Sequence, residues 1–310
     1  MGTQRETAGV TRPRRKISGH WHSLVSLASA CALCSCLGAA RAEADTLRFR
    51  VGGDVTYDDN VNRGITNDRL HDGFANLNIG ATVPLQLSQF TRLLLTGTFG
   101  GDRFIQYTGL DRVFADVDGE LQYRSSGQYT SPIYALFVRQ SVDRYESDLR
   151  DGYRISAGVS VRKPVTDRIF LFGALAYSQR HARSTVFDTE DVSVRGSFDY
   201  ALARGHTIYM GLEYRDGDSV STSLPSPALV SISEARVRDD VFAGHNSYRY
   251  RARTGILTLG YNITVKQGQA LDLSYRGVYS KPKDQPPNSV TTDTIYYVDN
   301  QVILSYLIRF

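Results

Sequence analysis

Five of the arginines between positions 215 and 276 are the residues in this sequence best suited to bind an anion: Arg215, Arg249, Arg251, Arg253 and Arg276. A guanidinium can form two parallel hydrogen bonds to a carboxylate or a phosphate, so grouped arginines form an anion site readily. Glu213, Asp216 and Asp272 lie among them in the sequence. A purely structural interpretation therefore stays open, in which arginines and carboxylates neutralise one another.

Two clusters of acidic residues are candidates for binding cations. Asp116, Asp118 and Glu120 alternate with other residues, which places them on one face of a strand, where they attract cations or pair with neighbouring arginines. The run from Asp58 to Asn60 supplies the oxygen ligands that calcium prefers. The same run directly follows a strand-like segment, so we interpret it as a polar loop and expect no metal site and no cofactor.

The first 44 residues have the features of a secretory signal peptide. A basic stretch at 12–16 precedes a mostly small and apolar stretch at 24–37, and two small-x-small sequences follow. We expect cleavage after Ala42 or Ala44. Lipid attachment at Cys36 is the alternative, although Cys34 fits the lipid-attachment pattern poorly.

Removal of this segment changes the composition of the chain. Residues 45–310 contain equal numbers of basic and acidic residues, so net charge gives no argument for nucleic-acid binding. Trp21 and all three cysteines lie within the expected signal peptide. The exported chain therefore has no thiol for a disulfide, a metal site or a nucleophile.

The remaining sequence alternates between apolar and polar side chains with a period of two, which is typical of amphipathic β-strands. Leu47, Phe49 and Val51, for example, lie on the face opposite Arg48 and Arg50. The pattern recurs in about twelve segments. No stretch after residue 44 is apolar enough to cross a bilayer as a helix.

Long and short connections alternate between these segments. The long ones cover about 58–72, 100–112, 142–150, 179–190, 216–247 and 280–293, and the short ones lie near 85–91, 124–129, 162–167, 203–206 and 266–269. Outer-membrane barrels sort their loops and turns in this way. The sequence predicts an all-β, transmembrane, antiparallel up-and-down barrel over residues 45–310. About twelve strands are expected, with ten or fourteen as alternatives.

The last ten residues, QVILSYLIRF, place Tyr306, Ile308 and Phe310 on one face of a strand. This segment resembles the terminal strand of bacterial outer-membrane β-barrels, which the barrel-assembly machinery reads as an assembly signal. The resemblance implies that machinery as a partner. It also implies a location in the outer membrane of a Gram-negative bacterium.

Residues 48–64, RFRVGGDVTYDDNVNRG, resemble the opening of several uncharacterised β-barrel porin families. They more distantly resemble the barrel part of surface-lipoprotein assembly modifiers. Assembly modifiers carry a helical-repeat domain ahead of the barrel, whereas the first strand here begins close to the expected cleavage site. The porin families are therefore the closer resemblance.

The orientation of the tenth strand determines what its three arginines can do. If the aromatic residues between them face outward, the arginines point into the lumen beside Arg215 and Arg276. That orientation conflicts with outward Leu257 and Leu259 and requires a bulge near Gly255. Without a bulge, the three arginines face outward and can bind lipopolysaccharide phosphates.

We expect a porin-like passive channel or binding protein for small polar or anionic solutes. The alternative is a non-conducting structural or lipopolysaccharide-interacting barrel, and the third candidate is an outer-membrane hydrolase. His245 lies in a loop and lacks the His-x-Ser-Asn-Gly setting of barrel phospholipases, so we expect no enzyme. The expected partners are outer-membrane lipid, lipopolysaccharide and a small solute, without nucleic acid. The apolar residues of the 216–247 connection predict that it folds into the barrel mouth.

Overall fold

The protein is described here by a computed structural model that covers residues 43–44, 47–65, 67–287, 290–291 and 294–310. The expected signal peptide lies outside these residues, apart from Glu43 and Ala44. These two residues form a short strand that pairs with Gln86 and Leu85. Among the described residues, no helix is long and apolar enough to span a membrane.

Twelve long strands follow in the described part of the chain, and we number them in chain order. They are β1 (Arg48–Asp58), β2 (Asp72–Ser88), β3 (Thr91–Phe104), β4 (Arg112–Arg124), β5 (Ile133–Tyr145), β6 (Gly152–Pro164), β7 (Ile169–Ala182), β8 (Thr189–Ala203), β9 (His206–Ser223), β10 (Asn246–Lys266), β11 (Gln269–Pro282) and β12 (Tyr297–Arg309).

Each strand pairs antiparallel with the next one, and β12 returns to pair with β1. That closing ladder runs from Gln301 opposite Asp58 to Arg309 opposite Arg50. The sheet is therefore a closed, antiparallel, up-and-down barrel. The predicted fold class and the predicted count of twelve barrel strands are confirmed.

The apolar side chains of the strands point away from the barrel axis. Val55, Leu77 and Val117 are each about 60% exposed on this outer wall. The polar residues that alternate with them face the lumen. This arrangement suits a wall in contact with lipid around a hydrated interior, and it matches the predicted orientation of the strands.

Short turns lie at one end of the barrel. Three of them have only two residues, at 89–90, 204–205 and 267–268. Gly205 and Gly268 adopt positive φ angles of 81° and 76°, which a side chain would disfavour in such a tight hairpin. The connection at 125–132 is the exception at this end, because it is longer than three of the loops at the other end.

The other end carries the loops 59–71, 105–111, 146–151, 183–188, 224–245 and 283–296. Three of them contain a 3₁₀ turn, at Thr108–Leu110, Asp148–Arg150 and Thr185–Phe187. The loop 224–245 contains a helix, α1 (Pro227–Ile232), and a short strand, Ala235–Arg238, that pairs with β10. The expected loop of 216–247 is shorter than predicted, because β9 continues to Ser223 and β10 begins at Asn246.

Candidate functional site

The lumen contains a cavity of about 700 Å³ near the loop end of the barrel. Side chains from strands all around the barrel line it, together with parts of the loops above. Most of these side chains are polar or charged. The arrangement of their charges is therefore the main feature of the site.

One wall of the cavity is acidic. Asp54 and Asp58 face it from β1, and Asp299 faces it from the neighbouring β12. None of the three carboxylates forms an ion pair with a described lysine or arginine. Asp58 accepts hydrogen bonds from the backbone N–H of Asn60 and from Gln301 Nε2 instead.

The wall across the lumen is basic. Arg154 on β6 and Arg180 on β7 are register partners, and β6 and β7 lie opposite β12 and β1 in the strand order. Arg154 is exposed to the lumen and has no hydrogen bond or ion pair with any described residue. Arg180 donates only to the backbone oxygen of Arg150, at 2.7 Å, and its Nε has no partner. These two arginines also line a second cavity of about 230 Å³ with Asp116 and Asp143.

The acidic row of β4 faces the lumen, as its spacing predicts. Asp116 lines the smaller cavity, and Asp118 forms an ion pair with Arg139 of β5 at 2.5 Å. Glu120 accepts a hydrogen bond from Gln122 at 2.5 Å. For Asp118 the structure therefore shows the second of the two expected alternatives, pairing with a neighbouring arginine.

Arg215 of β9 and Arg276 of β11 also face the lumen. Arg215 forms an ion pair with Glu213 at 2.5 Å, and Arg276 donates to Gln301 Oε1 at 3.0 Å. Both side chains line the larger cavity. Arg215 and Arg276 are therefore part of the cavity wall, but each guanidinium already has a polar partner.

The lumenal alternative for Arg249, Arg251 and Arg253 is wrong. The β9–β10 ladder continues without a bulge through Gly255, so these three arginines lie on the outer side of β10. Arg249 donates to the backbone oxygens of Thr185 and Asp188 at 2.8 and 2.9 Å. Arg251 pairs with Glu190 at 3.2 Å, whereas Arg253 is exposed and has no partner among the described residues.

The opposite face of β10 explains this orientation. Tyr248, Tyr250 and Ala252 point inward, where they form a buried apolar cluster with Leu229 of α1 and Ile295. The loop 224–245 thus folds into the barrel mouth, as its apolar residues predict. Sequence periodicity alone did not identify this inward apolar surface because its packing partner lies in a remote loop.

The loop 59–71 folds inward as well and meets the extended end of β9. Asn62 Nδ2 donates to the backbone oxygen of Thr222 at 2.9 Å, and Ser221 Oγ donates to that of Arg63 at 2.7 Å. Asp68 and His245 Nε2 lie 3.0 Å apart and connect the two inward loops. Residues of both loops, 59–71 and 224–245, line the cavity from the mouth side.

Arg150 joins the loop 224–245 to the loop 146–151, which connects β5 and β6. Its guanidinium contacts Asp239 at 2.6 Å and Asp240 at 3.0 Å, and it lies 4.5 Å from the ring centroid of Phe187. Only 6% of Arg150 is exposed. Arg150 could not be identified from the sequence, since its partners are some ninety positions away in the chain.

Burial and pairing act in opposite directions on Asp239. Burial opposes ionisation of its carboxyl group, but the charge of Arg150 and hydrogen bonds from Ser247, Phe242 and Val241 outweigh that effect. The pKa of Asp239 is therefore lowered from its ordinary value of 3.8. The contact between Arg150 and Asp239 is a charged one at neutral pH.

Two residues of the expected assembly signal, Tyr306 and Ile308, lie on β12 next to β1, and the third, Phe310, directly follows β12. Tyr306 and Ile308 are partners of Gly53 and Val51, and the backbone N–H of Phe310 donates to the oxygen of Phe49 at 2.9 Å. Tyr306 and Phe310 are exposed on the outer wall. Their use by an assembly machinery stays a prediction.

Comparison with known proteins gives similarities of fold. No family model and no curated protein matches the sequence. Among solved structures, an outer-membrane channel from Pseudomonas putida F1 has a TM-score of 0.51 at 10% identity, covering 84% of this chain and 95% of that one. NanC porin has a TM-score of 0.43 at 11% identity and covers 85% and 99%. KdgM porin has a TM-score of 0.40 at 11% identity and covers 84% and 99%.

Proposed function

We propose that the protein is a porin-like channel of the outer membrane of a Gram-negative bacterium, which admits or binds small polar or anionic solutes. The apolar outer wall and the polar, charged lumen support this proposal. The similarity in fold to an outer-membrane channel agrees with it.

The observation that carries the proposal is the unpaired Arg154 in the wall of the lumenal cavity. Its guanidinium has no partner among the described residues, so its hydrogen-bond donors are free to meet an anionic group in the lumen. The acidic wall formed by Asp54, Asp58 and Asp299 lies across from it. Such opposed charges orient a polar solute as it passes.

The size of the opening limits the solute. In a barrel of eight strands, side chains can fill the interior, whereas a barrel of roughly sixteen strands leaves a wide aqueous channel. A barrel of twelve strands lies between these two cases. The inward loops 59–71 and 224–245 narrow the mouth further. Solutes much larger than the cavity of about 700 Å³ are therefore not expected to enter.

Single-channel recording of the purified protein in a planar bilayer tests the proposal. We expect discrete conductance steps and, under a KCl gradient, a reversal potential that indicates preference for chloride. Insertion of folded protein without any conductance, combined with no uptake of small anions by proteoliposomes, would contradict a channel function.

A second candidate, a lipopolysaccharide-interacting barrel, is favoured by one specific observation. Arg253 and Lys281 are register partners on the outer side of β10 and β11, and neither side chain forms a hydrogen bond or an ion pair with a described residue. Asp216 lies opposite Arg253 on β9, but it is paired with Lys283. Adjacent like charges repel unless an anion lies between them. Reduced binding of purified lipopolysaccharide by a variant with both residues changed to Ser would support this role.

The third candidate, a hydrolase, gains no support from the described histidines. His245 is mostly buried, and its Nε2 faces Asp68 while its Nδ1 lies 2.9 Å from the backbone oxygen of Ala243. His206 hydrogen bonds with Tyr261. No serine hydroxyl contacts a histidine ring in the described part of the chain, so we propose that the protein is not an enzyme.

A further inference from the structure

Three carboxylates meet where the barrel closes. Asp58 is the last residue of β1, Asp59 follows it, and Asp299 lies on β12, which is the strand that pairs with β1. One carboxylate oxygen from each residue lies within 4.8 Å of the other two. Strands from the two ends of the barrel sequence thus contribute to one cluster.

Two of these carboxylates are deeply buried. Asp58 is 5% exposed and Asp299 is 3% exposed. None of the three has an ion pair with a lysine or arginine of the described chain. Arg63 acts on Asp58 and Asp299, and Arg276 acts on Asp299, only over longer distances than an ion pair. Burial of like charges at this spacing is unfavourable unless a cation or a proton lies among them.

Asp299 gives an independent indication of a missing partner. Its Oδ1 atom is fully buried and accepts no hydrogen bond. Buried carboxylate oxygens are rarely left without a donor or a cation. This atom belongs to the most buried of the three carboxylates and is available as a ligand.

The other carboxylate oxygens are held in place by neighbouring donors. The backbone N–H of Asn300 donates to Asp59 Oδ1, and its Nδ2 donates to Asp59 Oδ2, both at 2.7 Å. The backbone N–H of Asn60 donates to Asp58 Oδ1 at 2.7 Å. Each of these oxygens keeps a second lone pair, and hydrogen bonds of this kind orient carboxylates that bind metals.

We propose that Asp58, Asp59 and Asp299 bind one divalent cation, Ca²⁺, at the seam between β1 and β12. An all-oxygen donor set favours Ca²⁺ over transition metals, which prefer nitrogen and sulfur ligands, and water completes its coordination. The ion joins the first barrel strand to the last. It also fixes the start of the inward loop 59–71, since Asn60 Nδ2 already donates to the backbone oxygen of Val298 at 2.8 Å.

The test compares calcium binding by three forms of the folded protein in detergent after treatment with EDTA. The forms are the natural sequence, Asp299→Asn, and Asp199→Asn as the matched control. Asp199 is a half-buried lumenal carboxylate on β8, outside the cluster. Titration calorimetry with CaCl₂ measures the stoichiometry and affinity, and circular dichroism follows thermal unfolding with and without 1 mM CaCl₂.

We expect the natural sequence and Asp199→Asn to bind one Ca²⁺ per chain and to unfold at a higher temperature when Ca²⁺ is present. Asp299→Asn should bind at least about tenfold more weakly and lose most of that shift. If Asp299→Asn does not fold, Asp59→Asn takes its place, because Asp59 is only half-buried and lies in a loop.

Equal calcium affinity in the natural sequence and the cluster variant would overturn the proposal. So would the absence of calcium binding by the natural sequence, which would mean that a shared proton between Asp58 and Asp299 relieves their repulsion. The measurement does not depend on conduction, so failure of the channel proposal leaves this result unaffected.

Discussion

Arg154 is a cation of the lumenal wall that has no hydrogen bond or ion pair with a described residue. We expect Arg154→Ser to lower the chloride-to-potassium permeability ratio at least about twofold, because the variant removes an unpaired positive charge from a narrow, low-dielectric passage. Reversal potentials under a KCl gradient measure the ratio. Arg253→Ser, on the outer wall, is the control and should leave it unchanged. The same decrease in both variants would mean that Arg154 does not face the conduction path.

Asp239 connects the mouth loop to Arg150, so its protonation should loosen that contact. The pKa of Asp239 in the folded protein lies below the unfolded value of 3.8. Its contribution to stability is therefore complete above pH 4 and is lost as the pH falls through the lowered pKa.

We predict that Asp239→Asn is less stable than the natural sequence by about 3 kcal/mol at pH 6, since the buried Arg150 loses a charged partner. The difference should stay near this value down to about pH 4 and shrink as the pH falls from there towards 2. Chemical unfolding at a series of pH values measures it. A difference that stays constant over this range would show that the Asp239 charge does not stabilise the mouth.

For single residues, the sequence predicts correctly on which side of the barrel wall some of the charged side chains lie, but not all of them. The inward orientation of Asp116, Asp118, Glu120, Arg215 and Arg276 follows from strand alternation. The outward orientation of Arg249, Arg251 and Arg253 does not, because their strand has apolar side chains on both faces. Arg154 and Arg150 were not predicted as site residues. Nothing in the local sequence shows that the side chain of Arg154 has no partner or that Arg150 contacts two aspartates of a distant loop.

The strands provide a direct test of which face contacts lipid. Leu259→Arg near the bilayer midplane should cost about 2–4 kcal/mol, because it places a charge in hydrocarbon. Asp118→Asn, on the lumenal face, should cost about 1 kcal/mol or less, since its ion pair with Arg139 is hydrated. Urea unfolding in lipid vesicles measures both. Equal losses would contradict the assignment of the two faces.

The loop 224–245 covers part of the mouth and should restrict conduction. Because β9 and β10 remain paired up to Ser223 and Asn246, replacing residues 225–244 with Asn-Gly should keep the hairpin intact. We expect the single-channel conductance to rise. Shortening the connection 125–132 at the other end of the barrel is the control and should have no such effect. Unchanged conductance in the first variant would place the loop outside the conduction path.

The strands were predictable because alternation with a period of two persists through almost every one of them. The ends of β9 and β10 were not, since residues 216–223 are mainly small and polar and resemble a loop. They form strands because they pair with each other, and the start of β10 also pairs with the short strand Ala235–Arg238. Pairing with a distant segment overrides local composition here.

For the whole molecule, the position of the long loops at one end of the barrel and of the short turns at the other predicts that the loop end faces the outside of the cell. A protease site inserted after Asp284, in the long loop 283–296, should be cleaved in intact cells. The same site inserted after Gly127, where the surrounding space is open, should be cleaved only after the outer membrane is permeabilised. Immunoblotting of the fragments distinguishes the two. Cleavage in the reverse order would require the opposite orientation.

The ladder that closes the barrel joins residues very far apart in the chain, for Gln301 and Asp58 are separated by 243 positions. Until β12 reaches β1, the sheet has two unpaired edges and an apolar wall, and both promote aggregation in water. Closure over such a distance is also slow, because the entropy of a very long chain segment is lost before the final hydrogen bonds form. An unassisted chain is therefore expected to fold slowly and to need protection by a chaperone on its way to the membrane.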